Sequence, residues 1–294
     1  MFTITTRRKI TGKLRTPVRP HVLGRLAEEL MQGTRYQSTT PFLQALEDEG
    51  VVQHHSVKAR NGKSISLYGA FPLDDLTPYE LAGAVFPEAY FCNLTAIYHH
   101  GLTDQVPKAV YLCSETICAR QGRVGEALSE SRIRSAFIKP SRHTNFVIDF
   151  KKHELVVLDR ERGSDHGVIA VRRTRSPCPN ASRVACLERA LIDAVVAPHY
   201  NGGVSSLLAY FRAARKKINH TRMMEIYRKL AFVYPYAQSL GFFLEHADMR
   251  SHADELRDIF PPRQRFFVDH SAKSSWAYDE RWMLYHPEGL VHDD

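Results

Sequence analysis

The stretch from Ser38 to Phe71 constrains the fold more tightly than any other part of this chain. Its first half carries helix signals at both ends. Ser38, Thr39 or Thr40 offers a hydroxyl to the free N–H groups, and Pro41 stands in the first turn, where no N–H is needed. Phe42, Leu43 and Leu46 form one apolar face. Gly50 follows, where a helix ends in the left-handed conformation. The second half reads as a β-hairpin. Val51-Val52 leads in, Asn61-Gly62 supplies the positive-φ positions of a tight turn, and Ile65, Leu67 and Phe71 alternate on the return.

A capped helix followed by a hairpin with a basic tip is the ending of a winged helix-turn-helix. In that architecture a helix enters the major groove of DNA and reads bases with its N-terminal residues. Here these are Gln37, Ser38, Thr39, Thr40 and, one turn on, Gln44, with Arg35 just before them. Lys58, Arg60, Asn61 and Lys63 cluster at the hairpin tip and suit phosphate contacts. The charge distribution agrees. The 294-residue chain has a net charge of +8, and residues 1–70 carry eleven Lys and Arg against five Asp and Glu. A local surplus of this kind attracts a polyanion at long range. The competing reading is a small amphipathic packing unit with a solvated hairpin.

Residues 1–19 form a basic arm, either mobile or folded as a first short helix. From His21 to Gln32 the apolar positions Leu23, Leu26, Ala27, Leu30 and Met31 predict a helix, ended by Gly33. The short connection Gly33-Thr-Arg-Tyr-Gln suits a helix-turn-helix. A full winged helix needs a third helix, which only the arm could supply. Pro72 to Pro78 reads as a linker, so the spacing divides the chain into residues 1–75 and 76–294.

The second part opens with a helix over Pro78 to Val85. A further stripe of Leu94, Ile97 and Tyr98 ends at Gly101, and a strand follows at Val110 to Cys113. Ile133 to Ile138, Thr144 to Phe150, Glu154 to Leu158 and Val168 to Arg172 are short and rich in β-branched or aromatic residues. They predict a small, mostly antiparallel sheet. Four helical stripes come next: Val184 to Val195, Val204 to Phe211, Met223 to Leu230 and Ala237 to Ala247. The tail holds a strand-like Arg265-Phe-Phe-Val-Asp. The expected fold is α+β: an N-terminal winged helix-turn-helix, then a domain with a small sheet followed by a helical bundle.

Two parts of this second domain carry a family resemblance. One is Leu94-Thr-Ala-Ile-Tyr-His-His-Gly-Leu-Thr-Asp-Gln-Val-Pro, running into Ala109-Val-Tyr-Leu. The other is Cys186-Leu-Glu-Arg-Ala-Leu-Ile-Asp-Ala with Asn201-Gly-Gly-Val and Ser239-Leu-Gly-Phe-Phe-Leu-Glu. Together they resemble the antitoxins of the AbiE abortive-infection family, the antitoxin half of bacterial type IV toxin–antitoxin systems. The resemblance covers most of residues 20–250. It implies that the N-terminal domain binds operator DNA and represses its own operon, while the C-terminal domain counteracts a nucleotidyltransferase-like toxin. It makes His99, His100, Glu188, Arg189 and Asp193 the candidates for antitoxin function. The basic arm and the last forty residues lie outside it.

Other classes have little to stand on. The five cysteines (Cys92, Cys113, Cys118, Cys178 and Cys186) are odd in number and lack paired spacing, which suits a reducing cytoplasm. No CxxC or HxxxH pair points to a metal, and no glycine-rich phosphate loop or other cofactor motif occurs. No apolar run approaches a membrane span. Asp149, Glu154 and Asp159 beside Lys151 and Lys152 are the nearest approach to a nuclease pattern, but only Asp149 precedes a lysine by two. We therefore expect no catalytic residues. Arg189 and Asp193 stand four apart on one helix, the spacing of an ion pair. His99 and His100 read as a helix cap and surface feature, and Cys186 as buried. The remaining alternatives are a stand-alone winged-helix regulator and a metal-dependent nuclease.

Overall fold

The computed structural model describes residues 2–115, 128–160, 165–172, 177–179, 181–270 and 275–291. The basic arm is a helix. Helix α1 (Ile4–Lys13) is capped by Thr3, whose hydroxyl accepts from the Thr6 amide at 3.2 Å. Helices α2 (Pro20–Leu30) and α3 (Thr39–Asp48) follow. Their inward residues Ile10, Leu14, Leu23, Ala27, Leu30, Phe42 and Leu46 join Phe2, Val51 and Val52 in one small core. Phe2 meets the Phe42 ring edge-on at 5.7 Å, which ties the start of the chain to α3. Gly33 and Gly50 take φ values of +78° and +64°, the left-handed conformation that closes each helix. Ser38 occupies the cap position of α3, but its side chain makes no capping hydrogen bond.

Strands β1 (Gln53–Lys58) and β2 (Ser64–Gly69) form an antiparallel hairpin in which Val57 faces Ile65. Its turn is closed by the Ala59 amide donating to the Lys63 carbonyl at 2.8 Å, with Gly62 at φ +87°. Val18 exchanges backbone hydrogen bonds of 2.9 Å with Tyr68, adding a bridge to the outer edge of β2. The alternation holds for Ile65 and Leu67, but Phe71, expected to continue it, lies beyond the end of β2 and is exposed. Ile65 and Leu67 turn inward, but with Val57 and Ala59 they enter the large core of the second part rather than the small helical one. The hairpin therefore belongs to both halves. A short helical turn lies at Leu73–Asp75, and Lys151 Nζ donates to the Leu76 carbonyl at 2.8 Å.

Helix α4 (Pro78–Val85) starts with a reciprocal cap between Thr77 and Glu80. Strand β3 (Tyr90–Phe91), helix α5 (Asn93–His99), strand β4 (Ala109–Glu115), helix α6 (Glu130–Phe137) and strands β5 (Val147–Phe150), β6 (His153–Arg160), β7 (Val168–Ala170) and β8 (Arg183–Ala185) come next. The six strands form one mixed sheet in the order β5-β6-β4-β3-β8-β7. Three of its pairings are antiparallel, and β6–β4 and β3–β8 are parallel. Residues Ile133 to Ile138, expected as a strand, lie in and just after α6. Only Ile133 and Phe137, four apart, are buried, whereas a strand would have turned Ser135 inward with them.

The helical part comprises α7 (Leu187–Val196), α8 (Val204–Ala214), α9 (His220–Leu230), α10 (Tyr236–His246) and α11 (Arg250–Ile259). The first four match the sequence stripes except at Val184, read as the start of the first of them: it lies in strand β8, and the extended backbone of Cys186 delays α7 to Leu187. Helix α11 does not, because it buries only Ala253 and Leu256, leaves Ile259 exposed and is otherwise polar. The tail returns as strands β9 (Phe266–Phe267), β10 (Ala277–Asp279) and β11 (Leu284–His286), a three-stranded sheet in the order β10-β11-β9. This sheet delivers the fully buried Trp282 onto α10. A Cβ at Gly241 would lie 2.1 Å from the Trp282 ring, so the helix tolerates no side chain there. The indole N–H donates to Glu245 Oε2 at 2.7 Å. Among the described residues no helix is long and apolar enough to cross a membrane.

Candidate functional site

The residues expected to meet DNA divide into two groups. On α3 the apolar Phe42 and Leu46 are fully buried, which fixes the opposite face outward. Arg35, Gln37, Ser38, Thr40 and Gln44 are exposed, and Thr39 is half-buried. Gln44 Nε2 donates to Asp48 Oδ1 at 2.9 Å along the helix surface. The Arg35 guanidinium stands 5.2 Å from the Tyr36 ring centre and donates to the Tyr36 hydroxyl at 3.1 Å. These contacts keep a cation at the entrance to α3. Arg8, Lys9, Arg15 and Arg25 add exposed positive charge, whereas Arg7 is occupied by Glu49 at 2.6 Å and Lys13 by Glu29.

The hairpin tip is engaged differently. Arg60 reaches across to strands β5 and β6. Its Nε donates to Asp149 Oδ2 at 2.9 Å, and Nη2 contacts Asp149 Oδ1 and Glu154 Oε1, both at 2.5 Å. Its backbone amide donates to the Val147 carbonyl at 2.8 Å. Asp149 and Glu154 face each other across β5 and β6, so one guanidinium spans a cross-strand carboxylate pair. The hydrogen bonds from Arg60 hold the Asp149 carboxyl below the usual carboxylate range. Lys63 Nζ lies 5.2 Å from the Phe146 ring centre, and Asn61 Oδ1 accepts from the Lys63 amide at 3.1 Å. Arg60 and Lys63 thus hold the hairpin to the sheet. Lys58 stays exposed and makes neither contact. The same geometry accounts for the nuclease-like pattern: Asp149 and Glu154 are the docking partners of Arg60, and Asp159 lies exposed further along β6. Among the described residues no three His, Cys, Asp or Glu side chains are placed to hold a metal ion.

The candidate antitoxin residues are all interior. Arg189 is completely buried on α7 and serves four partners. Its Nε meets Asp193 Oδ1 at 3.2 Å, Nη2 meets Glu115 Oε1 at 2.6 Å and the Tyr90 hydroxyl at 2.8 Å, and Nη1 meets the His166 carbonyl at 2.7 Å. The Tyr90 hydroxyl in turn donates a hydrogen bond to Glu115 Oε1 at 2.7 Å. Arg160, from the end of β6, contacts Asp193 Oδ1 at 2.7 Å. Burial opposes the Asp193 and Glu115 charges, but Arg189, with Arg160 on Asp193, outweighs it, and both carboxyls titrate below their ordinary range. Glu188 points the other way. It accepts from the Asn219 amide at 2.9 Å and pairs with Arg222 at 2.7 Å, contacts that outweigh burial and lower its pKa too. The i,i+4 pair read from the sequence is present, but as one edge of a network that pins α7 to the sheet. Gly167 makes room for it: at φ +75°, a Cβ there would come within 2.8 Å of Arg189 Cβ.

His99 and His100, expected at the surface, are also buried. Helix α5 packs on α7, and His100 Nε2 lies 2.7 Å from the Ala185 carbonyl. The resembling segments meet at this point, where Asn201 Nδ2 donates to Asn93 Oδ1 at 3.1 Å. Cys186 caps α7 and is buried, as are Cys92, Cys113 and Cys178. Cys118 lies outside the described residues. Sequence reasoning missed Glu115, Arg160, Tyr90 and Arg222. The one available signal was a charge closing an apolar strand, as Arg160 does after Leu155 to Leu158.

No protein-family model matches the chain, and no curated protein matches it. Among solved structures it is similar to the crystal structure of the RV2827C protein from Mycobacterium tuberculosis. The TM-score is 0.52 at 13% sequence identity, over 97% of this chain and 92% of that one. A likeness at that identity is one of fold, and the two chains share their mixed α and β architecture along almost their whole length.

Proposed function

We propose that the chain is a DNA-binding antitoxin of the AbiE type. Helices α1 to α3 and the β1–β2 hairpin act as a winged helix-turn-helix on operator DNA upstream of its own genes. The second domain counteracts a nucleotidyltransferase-like toxin encoded beside it. The observation that carries the DNA reading is the exposed row Gln37, Ser38, Thr40 and Gln44 on α3, held outward by the buried Phe42 and Leu46. Hydrogen-bonding side chains at the start of such a helix are the usual means of reading base edges. The phosphate contacts fall to Arg35, Lys58 and the cations of α1, because Arg60 and Lys63 face the second domain. The protein acts in the cytoplasm, with no cofactor and no catalytic residue.

The antitoxin part of the reading rests on the sequence resemblance. Since His99, His100, Glu188, Arg189 and Asp193 are buried, their role is to hold the domain in shape rather than to touch a toxin. The test is a gel shift of the full chain on the DNA just upstream of its gene, with random DNA as competitor and salt varied. Retardation should survive competitor, and Thr40→Ala with Gln44→Ala should remove the preference for the operator. Binding that random DNA abolishes would overturn the regulator reading. Co-expression with a neighbouring nucleotidyltransferase should rescue growth. Specific DNA binding without rescue would leave a stand-alone transcription regulator.

A further inference from the structure

The guanidinium at the hairpin tip is held by contacts that solvent reaches, whereas the backbone beneath it is anchored separately. The side chains of Arg60, Asp149 and Glu154 are all half-exposed. Below them the Arg60 amide bonds to the Val147 carbonyl, and the Ala59 amide closes the turn onto the Lys63 carbonyl, both at 2.8 Å. Val57, Ala59, Ile65 and Leu67 fix the hairpin in the large core. Arg60 therefore leaves its carboxylates by rotating its own side chain, with the hairpin still seated.

The carboxylates offer Arg60 what a phosphate offers. Asp149 takes Nε and Nη2 side by side, one oxygen to each, and Glu154 adds a third oxygen on Nη2. A two-pronged grip of this kind is how arginine holds a phosphate group. The two acids also stand directly opposite each other on β5 and β6. Like charges at such positions repel, and among the described residues Arg60 is the one cation paired with either of them.

We propose that Asp149 and Glu154 are an internal stand-in for a DNA phosphate. They hold Arg60 in the free protein and surrender it to the backbone of a duplex seated on α3. The proposal rests on the DNA-binding reading above and adds a built-in competitor to it. Exposed ion pairs are weak and screened by salt, so a phosphate brought close by α3 displaces them. Once Arg60 has left, the two carboxylates face each other and the DNA without a counter-charge, which draws the guanidinium back when the duplex dissociates. The acidic pair thus lowers the affinity for every duplex. It leaves the preference for the operator, set by Gln37 to Gln44, unchanged.

Fluorescence anisotropy of the full-length protein tests this, with one labelled duplex from just upstream of its gene, one of random sequence, and salt varied. Asp149→Asn combined with Glu154→Gln keeps the shape of both side chains and removes both charges. This variant should bind both duplexes about tenfold more tightly, the order expected for two exposed ion pairs. The slope of log affinity against log salt should steepen by about one, for one further phosphate neutralised. The ratio of operator to random affinity should not move. In an Arg60→Ala background the same two substitutions should gain only about twofold, the share that comes from the field of the lost charges. An equal gain with and without Arg60 would overturn the proposal, because the acids would then act through their field alone. Binding of the duplexes with no gain in the Asp149→Asn, Glu154→Gln variant would overturn it while leaving the DNA-binding reading in place. Failure of every one of these proteins to bind either duplex would remove the DNA-binding reading itself, and this proposal with it.

Discussion

Arg60 and Arg189 each hold two carboxylates, and they do so in opposite settings. Arg60 and its partners Asp149 and Glu154 are roughly half exposed at the junction of the hairpin and the sheet, with side-chain exposures of 49%, 61% and 47%. Arg189, Asp193 and Glu115 are at most 1% exposed, at the junction of α7 and the sheet. In water, charges gain little by pairing, because solvent already stabilises each one. In the interior the same charges have no solvent to return to, so each depends on the others. The hairpin contact is therefore a docking contact that geometry favours and salt weakens. The contact at α7 is a structural joint that cannot open without unfolding the domain.

The largest effect should come from breaking the buried joint. Asp193→Ala leaves Arg189 and Arg160 facing each other without their shared carboxylate, and should cost about 3–5 kcal/mol in denaturant unfolding. A loss near the level of a surface substitution would mean that water reaches the cluster, and the contrast with Arg60 would collapse. Gly241→Ala tests whether shape constrains the interior as firmly as charge does. Its methyl would enter the space of the buried Trp282 ring, and overpacking of this kind costs about 1–3 kcal/mol. The melting temperature of the variant is the readout.

Acid titration separates the two settings by pH. The pKa values of Asp193, Glu115 and Glu188 are lowered by folding, so their stabilisation is complete above the unfolded values of about 3.9 and 4.3. It is lost as pH falls below these toward the folded values. His199 acts in a higher window. Burial, with the neighbouring His143 and His270, pulls it down to about 4. The unfolded chain therefore binds a proton on this residue that the folded chain refuses, and stability should decline from about pH 6.5 to about 4. His199→Phe should flatten the urea-midpoint profile over that interval and leave the steeper loss below it.

The smallest effect on stability belongs to Arg60→Ala. The melting temperature should change less than in any variant above, while the amide of residue 60, bonded to Val147, should exchange its hydrogen faster. The same acceleration should appear in the unaltered protein at high salt, because exposed charges are screened. Slow, salt-independent exchange would show that the hairpin is held by Val57, Ile65 and Leu67 in the large core, and that Arg60 only decorates the contact.

Sequence signals alone determined the features whose cause lies within one turn or one hairpin. The positive-φ glycines at 33, 50 and 62, the apolar stripes of α2, α3 and α7 to α10, the proline-flanked α4 and the pairing of Arg189 with Asp193 all depend on residues at most a few positions apart. Tertiary structure decided the rest. A short apolar run such as Ile133 to Ile138 suits a strand or a helix equally well, and only packing on its neighbours selects α6. Helix α11 has two inward residues, too few to announce itself. Arg60 finds Asp149 at 89 positions' distance, Arg189 finds Glu115 at 74 and Tyr90 at 99. Those partners are set by the order of strands in a mixed sheet, which local periodicity does not encode. The same ordering turned the expected DNA-facing Arg60 toward a protein carboxylate pair and placed the candidate antitoxin residues in the interior. A residue type carries its chemistry in the sequence, but whether that charge meets water, a phosphate or another side chain is settled only when distant segments come together.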